Sequence, residues 1–152
     1  MNLAVYLGLL HAAEETLASS FRAIAEGHAA EADVYHLCHQ LAEQCDQHVQ
    51  ALSPVVERYG EQKQSEPERL HADGVAGVRS GPLGLLRDLH DLYMLAAFVD
   101  ISWTLVGQAA HGARDHELLD VVARCEQETT TQMSWLRTRS KQAAPQALLI
   151  AD

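Results

Sequence analysis

The sequence predicts a single all-α domain over residues 1–152, built as an antiparallel four-helix bundle. Three observations carry this reading. The length of 152 residues suits one domain that buries its own core. Hydrophobic residues make up 47% and aromatics 5%, with Ala and Leu abundant, a mix that favours helices over strands. Four stretches repeat apolar residues at three- and four-residue spacing, the period of a helix with one buried face.

The first helix is expected over about 3–26, with Leu3, Leu10, Leu17, Phe21 and Ile24 on its inner stripe. Gly27 and His28 mark a tight break. The second helix spans about 31–59, with Val34, Leu37, Cys38, Leu41, Cys45, His48, Leu52, Val56 and Tyr59 inward. Pro54 is a possible kink because it removes a backbone donor, and Gly60 suits a helix stop. Over about 60–82 the periodicity disappears, save for a short turn expected near 67–71. Gln, Glu, Ser, Gly and Pro dominate this connection, which is long enough to return the chain along the bundle. The third helix follows over about 82–110, with Pro82 in its first turn and Leu85, Leu89, Leu92, Ala96, Val99, Trp103, Val106 and Ala110 inward. The fourth covers about 115–141, with Leu118, Val122, Cys125, Thr129, Met133 and Leu136 inward. Pro145 is expected to stop it, and the apolar tail within 143–152 to fold back onto the bundle.

Short turns within each helix pair make antiparallel neighbours. The long connection makes the second and third helices parallel. Simple up-down-up-down order with a loose central loop is the alternative.

Composition narrows the function classes. A net charge of −10 without a Lys/Arg cluster disfavours nucleic acid and anionic membrane. No run reads as a membrane span, and residues 1–10 lack the basic start and cleavage site of a signal peptide. Cys38, Cys45 and Cys125 form no disulfide framework and point to a reduced, cytoplasmic setting, where they read as small core residues. Nine histidines are unusual in this length, though a solvated surface accounts for most. His36, His39 and Glu43 share an outer face, as do His11 and Glu15. Trp103 and Trp135 read as packing residues.

Polar residues on inward stripes carry more information, because burying them costs free energy. Glu14 lies between Leu10 and Leu17. His48 lies on the second stripe, three residues after Cys45. Asp100 sits at the edge of the third stripe, and Glu126 near the fourth, three residues before Thr129. Matching depths from the two short turns allow Glu14, Cys45, Asp100 and Glu126 to meet near the centre.

This pattern resembles the ferritin-like di-iron bundles, such as rubrerythrins and bacterioferritins. Those proteins place a Glu on the first helix and Glu-x-x-His on the second, then repeat the set. The resemblance covers most of the chain. Glu14 matches the first Glu, and Cys45-x-x-His48 the second-helix motif with Cys for Glu. Asp100 matches the third-helix Glu, and Glu126-x-x-Thr129 the last motif with Thr for His. It implies a metal site at Glu14, Cys45, His48, Asp100 and Glu126. The altered ligand set implies a bundle without metal, or one zinc or iron ion, in a non-catalytic structural or single-metal-binding protein. An iron- or peroxide-handling oxidoreductase is the alternative. Finally, Met94, Phe98, Ile101 and Leu105 form a second apolar row on the third helix, which predicts a homodimer through that helix. The tail, or the connection near Leu70 and Val75, is the intrachain alternative cover.

Overall fold

Four long helices make up most of the computed structural model, which describes residues 2–60 and 73–151. No strand occurs among those residues. The helices are α1 (Asn2–Gly27), α2 (Ala32–Tyr59), α3 (Gly81–Ala113) and α4 (His116–Pro145). The inward stripes become one core in which Leu10, Leu17, Phe21, Leu52, Leu89, Leu92, Trp103, Leu118 and Leu136 are fully buried. Helix α1 packs on α2 and α3, and α4 on α3 and α2.

Local chemistry sets the ends. Gly60 closes α2 with φ of 82°, a backbone angle that suits glycine. Helix α2 runs through Pro54 without interruption. Asp115 opens α4: its Oδ1 accepts the Leu118 N–H at 3.1 Å, while Oδ2 accepts the Tyr59 hydroxyl at 2.6 Å and an Arg58 N–H at 2.8 Å. The cap therefore also ties the end of α2 to the start of α4.

Much of the expected connection, including its short turn at 67–71 and Leu70, lies outside the described residues. Residues 73–80 run without regular structure to the start of α3 and are held at several points. The Val75 N–H donates to Ser20 Oγ at 3.2 Å. Val78 lies so close to Gly27 that any side chain at Gly27 would displace it. Arg79 donates to Asp88 and Asp91, and His28 Nε2 meets the fully buried Asp88 at 2.7 Å.

Two expectations need correction. Helix α4 does not stop near 141; it reaches Pro145 and passes into a π-helical turn, Gln146–Ile150. This wider turn closes with the Ala151 N–H donating to the Gln146 carbonyl at 2.9 Å. Within residues 147–150, Ala147 is buried, while Leu148, Leu149 and Ile150 face outward. Second, α3 is long and apolar enough, by length and composition, to cross a membrane. Its two apolar faces produce this property, and its inner face is buried in the core.

Candidate functional site

The bundle centre is assembled from one or more side chains of each helix. Glu14 on α1 is completely buried. Its Oε1 is 3.0 Å from His48 Nδ1 on α2 and accepts the Trp103 indole N–H of α3 at 2.9 Å. A carboxylate only accepts, so the imidazole proton in this contact sits on Nδ1. The Trp103 and His48 rings meet edge to face with centroids 6.2 Å apart. Helix α4 joins through fully buried Gln132, which donates to Gln44 Oε1 at 2.7 Å and lies beside the Cys45 thiol. Burial first, and then the neighbouring Glu14 charge, push the Cys45 thiol well above its ordinary range. Cys38 and Cys125 are pushed up to about 12, chiefly by burial.

Three of the five sequence candidates therefore come together: Glu14, Cys45 and His48. The other two lie between α3 and α4. Glu126 Oε1 accepts the Thr104 hydroxyl at 2.8 Å, and the Asp100 carboxyl is raised by burial and then by the Glu126 charge. Thr129, at the position of the family's last histidine, donates its hydroxyl to the Cys125 carbonyl at 2.7 Å. Among the described residues, no three His, Cys, Asp or Glu side chains are arranged to hold one metal ion together.

Two buried atoms at the centre have no hydrogen-bond partner among the described residues: Glu14 Oε2 and His48 Nε2. Nε2 faces Glu128 of α4, whose Oε2 is 3.7 Å away. Glu128 is off the inward stripe and escaped the sequence reading. Trp103 and Gln132 escaped it as polar partners, since the first reads as packing and the second sits beside Met133.

No family model, curated protein or solved structure matches the chain.

This donor set does not suit the pair of iron ions that the ferritin-like di-iron bundles themselves hold. Oxygen Oε1 of Glu14 is engaged by two donors, and a thiol held protonated stands where a bridging carboxylate is needed. Glu126 and Thr129 are turned to other partners. What the arrangement does chemically is join helices: one carboxylate oxygen links α1, α2 and α3, and Gln132 links α2 to α4.

Proposed function

We propose that this chain is an antiparallel, ferritin-like bundle acting as a non-catalytic, homodimeric structural protein. In this reading, the polar centre locks helix register and does no redox chemistry. The observation that carries it is the double engagement of the buried Glu14 Oε1 by His48 and Trp103. A buried polar group bonded in one geometry penalises every shifted packing, in which its partners would be left unpaired.

The antiparallel, ferritin-like order is supported by the contacts between helices. Along α1 and α2, Glu14 meets His48, Arg22 meets Asp46, and Glu26 meets His39. Along α1 and α3, Glu14 meets Trp103 and His28 meets Asp88. Along α3 and α4, Thr104 meets Glu126 and Tyr93 meets Arg137; along α2 and α4, Asp33 meets Arg139 and Arg58 meets Asp115. In each pair one number rises as the other falls. Helices α2 and α3 then run the same way on opposite corners, the order of two hairpins joined by a lengthwise crossover.

The dimer reading rests on α3. Met94 is 62% exposed and Ile101 52%, with Leu105 beside them. The spacing of 94, 98, 101 and 105 reads four, three, four in both directions. Two antiparallel copies of α3 therefore set Met94 against the partner's Leu105, and Phe98 against the partner's Ile101, around one two-fold axis.

An iron oxidation assay separates this reading from its oxidoreductase alternative. Iron(II) supplied with oxygen or peroxide should oxidise at the buffer rate. Saturable oxidation that disappears in His48→Ala would instead support iron or peroxide handling.

A further inference from the structure

We propose that the groove between α3 and α4 near Tyr93 and Leu148 binds one single-chain amphiphile with an anionic head, of the fatty-acid type. The carboxylate sits at Arg137 and Lys141, and the acyl chain runs over Leu86, Ala144 and Leu148. The site uses no residue of the polar centre and stands whether or not that centre is structural.

The first observation is a gradient of polarity along the groove, which is open to solvent and holds about 450 Å³. The contact between Arg137 and Tyr93 sets the register of the two helices. From there α3 passes from Tyr93 to Leu86, and α4 from Arg137 and Lys141 to Ala144 and on to Leu148 in the π-turn. Two turns of α3, about 10 Å, separate the polar end from the apolar end. An amphipathic helix laid in the groove would carry its polar and apolar groups on opposite faces, across its axis. A molecule with one charged head and one tail carries them in sequence along its axis, which is the order found. Leu148 is 64% exposed, so the tail end holds apolar surface that gains by being covered.

The second observation is charge. No Asp or Glu lines the groove, in a chain that has 21 of them. Its ionisable side chains are Tyr93, His90, Arg137 and Lys141. Arg137 donates to the Tyr93 hydroxyl at 2.6 Å, and its guanidinium lies over the Tyr93 ring, 5.3 Å from the centroid. These contacts hold the guanidinium at the polar end and leave its other N–H groups for a ligand. Among the described residues, neither Arg137 nor Lys141 meets a carboxylate, whereas Arg22, Arg58, Arg79, Arg124 and Arg139 all do. A guanidinium placed in advance accepts a carboxylate through two parallel hydrogen bonds.

The groove is also separate from the outer row of α3. Leu86 and Tyr93 lie roughly a quarter turn around the helix from Met94 and Ile101. A second copy packed on that row leaves the groove free.

Calorimetry with sodium dodecanoate, below the concentration at which it forms micelles, tests the site on the whole chain. Wild type should bind one equivalent per chain. Each methylene added between octanoate and dodecanoate should tighten binding by up to about four-fold. Dodecyltrimethylammonium, with the same tail and the opposite head, should not compete. Arg137→Gln should weaken dodecanoate about ten-fold or more. Leu148→Glu should remove binding by placing a carboxylate where the tail lies. Both positions are exposed, and circular dichroism should show the fold kept. Ile101→Asp should leave binding unchanged. The assignment is overturned by an absence of saturable binding in wild type, by affinity independent of chain length, or by competition from the cationic amphiphile. Binding that survives Arg137→Gln and Leu148→Glu, or is lost in Ile101→Asp, overturns it too. A change of oligomeric state in Ile101→Asp bears on the dimer alone.

Discussion

A thiol reacts as its thiolate, so burial that raises the pKa silences it. Cys38 and Cys125 are raised to about 12, and burial first and then the Glu14 charge raise Cys45 well above its ordinary range; all three are buried. Native protein should therefore resist iodoacetamide near pH 8, with three cysteines labelled only after unfolding, counted by mass spectrometry. Fast labelling of Cys45 in the native protein would show that the centre is open. At this scale the sequence exposes residues whose chemistry conflicts with their position. Glu14 and His48 stand out because a polar group on an apolar stripe needs a partner. Trp103 does not, since an indole on such a stripe is already at home and its N–H gives no signal. Gln132 was hidden by one position of helical phase beside Met133. Asp88 was hidden because its partners, His28 and Arg79, lie in a turn and in a stretch without periodicity.

Element boundaries depend on hydrogen bonds that composition reports unevenly. Asp115 shows the legible kind: an acidic residue just before an apolar run, bonded to the Leu118 N–H. Burial alone would push its carboxyl up, but the Tyr59 hydroxyl, the Leu118 N–H and Arg58 together hold it below the ordinary range. A depressed carboxylate stabilises the fold above its unfolded pKa of roughly 3.9 and loses that contribution as pH falls through the lower folded value. Asp115→Ala should thus cost about 1–2 kcal/mol at pH 7 in urea unfolding. The difference from wild type should shrink below about pH 3. A difference that stays constant down to pH 2 would remove the charge from this account. The C-terminal end of α4 shows the illegible kind. Pro145 marks where α-helical bonding fails, but not that a wider turn continues the chain beyond it.

For the whole molecule, periodicity made the all-helical class and all four helices legible, because each inner stripe had to find the others. The outer row of α3 was equally legible, but what covers it is a property of a second surface. If that surface is another copy, Ile101→Asp should yield a folded monomer, with wild-type mass by light scattering twice as large and circular dichroism unchanged. A wild type that stays monomeric at high concentration contradicts the dimer. The central claim is that one buried carboxylate holds three helices in register, and two adjacent glutamates provide its most direct test. Glu14 is fully buried between His48 and Trp103, whereas Glu15 is exposed. The measurement is urea unfolding of Glu14→Ala and Glu15→Ala, both in EDTA to remove any metal contribution. Glu14→Ala should lose about 3–5 kcal/mol, since it strands two buried donors. Glu15→Ala should stay within about 0.5 kcal/mol of wild type. Equal and small losses in the two variants would contradict the account.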